Sequence, residues 1–355
     1  MTLEPLIGNT LEELEQRCVA LSYPKFRGGQ IFEWIYHKGA RSFDDMHTIP
    51  KELREKLSGQ TSLDRAVMKN IMVSKDGTQK WLLHFHDGNE AECVHIPEKT
   101  RGTLCISSQV GCTLTCTFCH TGTQMLVRNL TPGEILGQVI SARDIFSEWP
   151  TPEGQRHISN IVLMGMGEPL YNYDNLAKAL KIMMHPKGLG FSRHKITLST
   201  SGVVPMIYKC AEELKVELAI SLHAPDDVLR NEIVPINRKY PLEMLMEAVR
   251  AYPALSQTKE VTFEYVMLQD VNDSPTQARD LIQLIKGIPA KINLIPFNPW
   301  PGSPYTRSSK ARIDQFAAVL ERAGYRCPIR RPRGEDILAA CGQLKSESKR
   351  VSRHV

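Results

Sequence analysis

The sequence predicts an α/β fold, with a βα barrel as the main body and two smaller segments before it. Three observations point there. Beyond Thr100, six apolar, β-branched runs alternate with helix-patterned stretches, the arrangement that builds parallel sheets with right-handed crossovers. The N-terminal part instead repeats apolar side chains at three- and four-residue spacing. Between the two, the period drops to two and turn signals appear. A length of 355 residues accommodates such a barrel with additions, or two ordinary domains of about 150 residues.

Residues 1–60 form the helical accessory segment. LEELEQRCVALS and RGGQIFEWIYHKG carry apolar residues at helical spacing, and IPKELREKLSG opens near a proline and closes at Gly59. Residues 61–98 read as a β-meander, with AVMKNIMVS, TQKWLLHFH and AECVHIP separated by the turn signals DGT and DGN. Residues 99–340 hold the barrel. Its strands are TLCISSQV, ISNIVLM, KITLS, VELAISL, VTFEYVML and KINLI. Its helices include TPGEILGQVISARDIF, DNLAKALKIMM, VVPMIYKCAEEL, PLEMLMEAVRAY and SPTQARDLIQLIK. An open, doubly wound sheet is the alternative reading of the same alternation. In both, functional loops fall at the C-terminal ends of the strands. Residues 341–355 form a terminal segment with a basic tail.

Hydrophobic residues make up 42% and charged residues 23% of the chain, ordinary soluble usage that excludes wholesale disorder. No apolar run approaches the roughly 18–20 residues that span a bilayer. The start, MTLEPLIGNT, lacks the basic region and apolar core of a secretory signal. The expectation is a cytoplasmic protein with no membrane partner. The net charge of +5 is concentrated near the end, where Arg326–Val355 holds eight Lys or Arg against three Asp or Glu. A solvated tail explains such a surplus, and so does a polyanion such as RNA, held through its phosphates.

Nine cysteines without a secretory signal argue against a disulfide framework. Cys18, Cys93, Cys210 and Cys327 stand alone and read as small buried side chains. Cys105, Cys112, Cys116 and Cys119 crowd into fifteen residues, and Cys341 sits by itself in the basic region. Cys112, Cys116 and Cys119 follow C-x3-C-x2-C on the loop after the first barrel strand. Three close thiolates suit a soft metal or an iron–sulfur cluster, and three-cysteine ligation leaves one iron open to a substrate. A structural zinc site needs four ligands, usually as two separated pairs, and adjacency to Cys119 makes His120 an awkward fourth.

This loop, placed after the first strand of a βα barrel, resembles the signature of the radical S-adenosylmethionine (SAM) enzymes. NIVLMGMGEPLYNYDNL, from the second strand onward, is similar to that superfamily's GGEP element, with Gly167 and Glu168 in the matching positions. SSQVGC, LSTSGVVP, SLHAP, LIPFNPWPG and RGEDILAACGQL together resemble the bacterial dual-specificity adenine carbon-2 methyltransferases of 23S rRNA and tRNA. The resemblance covers nearly the whole chain and is weakest over the N-terminal helices. It implies a radical SAM partial (βα)6 barrel, a 4Fe-4S cluster on Cys112, Cys116 and Cys119, and the use of two SAM molecules. It also implies SAM contacts at Gly167, Glu168, Ser199, Ser221, Leu222, His223 and Asn298.

Carbon 2 of adenine is electron-poor, so polar methyl transfer fails there and radical chemistry is required. The resemblance implies that Cys341 is methylated first and then delivers a methylene radical to the base. Cys105 is implied as the thiol that resolves the protein–RNA adduct by forming a disulfide with Cys341. Glu92 matches the residue that accepts a proton as the base regains aromaticity. An electron donor and a disulfide reductant join 23S rRNA and tRNA as implied partners. Two other readings stay open. The resistance-type enzyme that methylates carbon 8 of the same ribosomal adenosine shares these cysteines. A non-catalytic, metal-stabilised RNA-binding protein explains the basic end and the cysteine cluster, yet leaves GMGEP, SLHAP and Cys341 unexplained.

Overall fold

The computed structural model describes residues 3–252 and 260–348. Arg350 and Arg353, the last arginines of the basic tail, lie outside the described residues. The N-terminal unit closes on itself through two short strands, β1 (Glu4–Pro5) and β2 (Thr61–Ser62), paired in parallel. Between them lie α1 (Leu11–Ala20), α2 (Phe26–Tyr36) and α3 (Lys51–Ser58). Thr10 starts α1 with a capping box, accepting from Glu13 N while its own N–H donates to the Glu13 carboxylate. The helices α1 and α2 touch at Gly28, where a Cβ would stand 2.4 Å from Glu15 Cα. Only hydrogen fits at that contact.

The meander forms as β3 (Val67–Val73), β4 (Gln79–His84) and β5 (Glu90–Pro97), antiparallel throughout. It is not a separate sheet. β5 pairs antiparallel with the first barrel strand, β6 (Gly102–Cys105), so the meander extends the barrel wall. The chain then makes a two-stranded ribbon, β7 (Gln109–Val110) with β8 (Arg128–Asn129), before returning to the barrel. The remaining barrel strands are β9 (Asn160–Leu163), β10 (Ile196–Thr200), β11 (Glu217–Ser221), β12 (Val261–Met267) and β13 (Ala290–Pro296).

All six barrel strands are parallel and stand side by side in chain order, β6-β9-β10-β11-β12-β13. A doubly wound sheet reverses its order at a switch point. This sheet winds one way only, which makes it an open barrel and removes the alternative. Around it pack α4 (Pro132–Ile145), α5 (Tyr173–Met184), α6 (Val204–Glu213), α7 (Asp227–Ile233), α8 (Leu242–Arg250), α9 (Pro275–Leu284) and α10 (Lys310–Arg322). The sequence reading had no counterpart for α7 and α10. Among the described residues, no helix is long and apolar enough to cross a membrane.

Two expectations change. The run TLCISSQV leaves the sheet after Cys105, because the Gln138 side chain replaces a strand neighbour. Gln138 accepts from Ser107 N at 2.8 Å and donates to Ser107 O at 2.9 Å. The basic stretch from Arg326 is no free tail either. Ile292 N donates to Arg326 O, Leu294 N to Pro328 O, and Arg330 N to Leu294 O, so this stretch lines the outer edge of β13.

The contact at Gly28 supplies a test. Gly28→Ala should lower stability by about 1–3 kcal/mol through overpacking. At the next position a Cβ would meet only Leu11 Cδ1, at 3.7 Å, so Gly29→Ala should raise stability by up to about 1 kcal/mol. Urea unfolding of the two variants measures both, and equal effects would contradict the packing described.

Candidate active site

The ribbon of β7 and β8 presents the cysteine loop at the C-terminal end of β6. Cys112 N donates to Gln124 O, and Cys119 N to Cys116 O, so backbone bonds fold the loop over itself. Cys112, Cys116 and Cys119 all line one cavity of about 150 Å³. Burial pushes all three thiols upward, Cys112 to about 12. A metal centre is the partner that turns such buried thiols into thiolates. Among the described residues, no three His, Cys, Asp or Glu side chains converge to hold a single ion. Zinc would draw its thiolates to about 2.3 Å from one point. Three thiols arrayed around one cavity wall fit a multinuclear cluster, in which each thiolate takes a different iron.

His120 is occupied elsewhere. Its ring Nδ1 lies 3.2 Å from Gln343 O and its plane stacks on Trp300 at 4.9 Å.

Across the cavity, the loop after β9 carries Gly167 and Glu168. Gly167 has φ +99°, and a Cβ there would collide with Gln109 Cβ at 2.5 Å, so the position demands glycine. Glu168 is 3% exposed. It accepts from Leu170 N at 3.1 Å and from Ser201 N at 2.8 Å. Burial lifts its carboxyl to about 7, against the pull of these backbone donors. Ser199, Ser221 and His223 line the same cavity from β10 and the end of β11. His223 holds a left-handed backbone, φ +65°, and its Nδ1 accepts from Val266 N. Burial holds its ring neutral, with a value down to about 3.

Beneath this layer, Arg230 is fully buried. Its guanidinium donates to the carbonyls of Ser201, Ser221 and Leu222 and to Asn237 Oδ1. It ties the ends of β10 and β11 together and fixes the height at which their hydroxyls stand.

The chain's last described segment lies over the cysteine loop. His120 N donates to Gly342 O at 2.7 Å, Thr121 Oγ1 to Leu344 O, and Gln124 Nε2 to Ser346 Oγ. Gln343 clamps the turn from within, donating to Pro299 O and accepting from Ala340 N. Cys341, at the tip of this turn, lines the cysteine cavity and also a second cavity of about 60 Å³. The second cavity holds Cys105 together with Arg330, Arg331 and Arg333. Arg330 Nη1 comes within 3.9 Å of Cys341 Sγ. Cys105, the last residue of β6, is 8% exposed, and burial pushes its thiol up to about 12.

The expected residues therefore sort into three places. Cys112, Cys116, Cys119, Gly167, Glu168, Ser199, Ser221, His223 and Cys341 share the larger cavity. Cys105 and Asn298 join Cys341 in the smaller one, where Asn298 Nδ2 donates to Cys341 O at 3.3 Å. Glu92 and Leu222 line neither. Glu92 is buried, with Oε1 paired to Lys80 Nζ at 2.9 Å and Oε2 accepting from Lys345 N at 2.9 Å. Leu222 has its N–H on Glu264 O and its carbonyl on Arg230. Arg230 and Glu264 were not among the expected site residues, and Arg330 was expected only as part of the basic stretch. Glu264 left a signal as a lone charge inside the apolar run VTFEYVML.

Comparison with known proteins follows the same division. Residues 106–282 match the family model of the radical SAM superfamily, and residues 5–63 that of the ribosomal RNA large subunit methyltransferase N-terminal domain. A dual-specificity RNA methyltransferase RlmN of Rhodospirillum rubrum is 57% identical over 346 residues, spanning 97% of this chain and 81% of that protein. Its counterpart from Granulibacter bethesdensis is 54% identical, spanning 98% and 89%. A solved radical SAM methyltransferase from Sphaerobacter thermophilus superposes with a TM-score of 0.90 at 42% identity, covering 97% of this chain and 100% of that one.

The raised Glu168 carboxyl makes stability depend on pH. Its folded value, about 7, exceeds the ordinary 4.5, so the native state binds this proton more tightly than the unfolded chain. That contribution is full below about 4.5 and is lost as pH rises through about 7. In protein free of cluster and SAM, Glu168→Gln should gain on wild type by about 2–3 kcal/mol between roughly pH 5 and pH 8. Urea unfolding at both pH values reads the gap. A gap that stays constant or narrows would contradict the burial of an ionisable group there.

Proposed function

The chain belongs to the dual-specificity RNA methyltransferase family of the radical SAM superfamily, and we propose that it methylates carbon 2 of adenosine in both 23S rRNA and tRNA. It is a radical SAM enzyme whose cofactors are a 4Fe-4S cluster and SAM. When bound, the cluster supplies the electron that splits SAM and yields a 5′-deoxyadenosyl radical. Cys112, Cys116 and Cys119 would hold it, and Glu168 would take the ammonium group of SAM.

One observation carries the assignment of roles. The Cys341 sulfur stands on the wall shared by the two cavities. From there it can meet a SAM methyl group on one side and a nucleobase on the other, with little movement of the turn. This placement supports Cys341 as the methyl carrier. Cys105, in the second cavity, then attacks the Cys341 sulfur as a thiolate: the S–S bond forms as the S–CH2 bond breaks, the freed methylene takes up a proton to become the methyl group, and a Cys105–Cys341 disulfide remains. An external thiol reductant restores the pair, and an electron donor recharges the cluster.

Glu92 accepts the proton in this scheme, since each of its oxygens keeps an acceptor site beside Lys80 and Lys345 N. The contact with Lys345 N also ties it to the segment that bears Cys341. The arginines around the second cavity suit RNA phosphate. The target adenosine enters unstacked, because carbon 2 is out of reach inside a helix. The carbon-8 chemistry is disfavoured by the intact N-terminal unit and the RGEDILAACGQL ending. A non-catalytic RNA-binding role gives no reason for a thiol set between two cavities. A reducing compartment such as the cytoplasm suits the thiols that this scheme needs in reduced form.

The two-cysteine scheme has a direct test. Cys105→Ala should form the methylene bridge but fail to release it, and so accumulate covalently joined to RNA during expression. Cys341→Ala, without the carrier, should form no adduct. A denaturing gel with and without nuclease separates the outcomes. Clean turnover by Cys105→Ala, or an adduct from Cys341→Ala, would overturn the roles assigned.

A further inference from the structure

One buried group in the larger cavity is left without a task. Glu264 stands in the middle of β12 and is 4% exposed. Its Oε1 accepts from Asn293 Nδ2 at 2.9 Å. No donor among the described residues reaches its Oε2, although that atom is buried. A buried carboxylate oxygen with no donor is costly, by about 1–3 kcal/mol or more, and a mid-strand position leaves it no freedom to turn out to water. The side chain lines the cavity. Arg330 is near enough for its charge to offset part of the cost, but it gives Oε2 no hydrogen bond, so a ligand that brings a donor relieves what remains.

Register says which donor. Glu264 stands opposite Ser221 on β11 and Asn293 on β13. Ser221 Oγ in turn lies 3.4 Å from Ser199 Oγ on β10. A polar row thus crosses three adjacent strands in register, β11 to β13, and Ser199, whose register partner is Ala219, joins it through its hydroxyl alone. Glu168 follows β9, three strands away from β12, which is about 14 Å at the usual strand spacing. SAM bound by its ammonium group at Glu168 therefore extends its nucleoside toward β11–β13. There the cavity offers Val266, Ile295 and Phe297 as an apolar seat for a purine, with Glu264 beside it. Between the sulfonium carbon and the purine lies the ribose, whose vicinal hydroxyls are two donors on adjacent carbons.

We propose that Glu264 receives the ribose hydroxyls of SAM through its free carboxylate oxygen, with Asn293 holding the other oxygen and so fixing the plane of the group. The inference rests on the reading of this cavity as the SAM site. It makes Glu264 a binding and positioning residue, since a ribose anchored here sets where the adjoining 5′ carbon points.

The test is equilibrium binding to cluster-loaded protein without reductant, so that no turnover occurs. Calorimetry compares SAM with its 2′-deoxy and 3′-deoxy analogues on wild type and on Glu264→Gln. The amide keeps an oxygen for Asn293 and replaces the acceptor facing the ribose. A hydrogen bond to a charged group is worth about 1.5–3 kcal/mol, roughly a 10- to 150-fold change in affinity. Wild type should bind at least one deoxy analogue about tenfold or more weakly than SAM. Glu264→Gln should lose about tenfold in SAM affinity and bind SAM and the deoxy analogues nearly alike. Wild-type protein that binds SAM with no preference for either hydroxyl overturns this inference alone, whatever the variant does. A Glu264→Gln protein that keeps the full preference does the same. Protein that binds no SAM overturns the reading of the cavity, and this inference with it.

Discussion

The turn at Ala340–Gln343 is held from three sides, and the position this gives the Cys341 sulfur governs the rest of the site. His120 grips it from the cysteine loop, Asn298 and Pro299 from the loop after β13, and Gln343 from within. Glu92 holds the next stretch through Lys345. These are ordinary hydrogen bonds, each worth about 1 kcal/mol net. Together they hold an exposed thiol where it borders both cavities. A thiol sealed in the core would serve one cavity only.

The barrel supplies the rigid part. Parallel strands standing in chain order bring the ends of β6, β9, β10 and β11 to one face, so residues far apart in sequence share a cavity of about 150 Å³. Holding polar groups there requires buried charge. Arg230 accepts that cost by bonding the carbonyls behind Ser201, Ser221 and Leu222, and burial lowers its guanidinium to about 10. Glu168 lies in the same buried layer with the opposite response, its carboxyl lifted to about 7. Both shifts are the expected response of charged forms to lost solvation. Both leave the site prepared for a charged ligand rather than relaxed without one.

Much of this was legible from residues alone, and the limits have physical causes. The six barrel strands and the cysteine loop carry local patterns, so periodicity and spacing suffice to find them. The end of β6 at Cys105 was hidden, because a glutamine thirty residues away mimics the strand partner. Charge counting located the basic stretch near Arg326 but could not reveal its pairing with β13, which depends on backbone groups. Arg230 lies in DDVLRNEI, a stretch that reads as solvated. Glu92 was expected as a proton acceptor by resemblance, and only the fold brings Lys80 and Lys345 to it. The link between Cys105 and Cys341 in one cavity spans most of the chain, beyond the reach of any local pattern.

The central claim is the chemical identity and the location of the product. The measurement that bears on it most directly is mass spectrometry of nucleosides from 23S rRNA and bulk tRNA, prepared separately from a strain lacking this gene and from the same strain carrying it back. 2-Methyladenosine should vanish from both RNAs in the deletion, return in both on complementation, and stay absent with Cys341→Ala. Unchanged 2-methyladenosine in both RNAs, or a restored methyl group on carbon 8 instead, would contradict it.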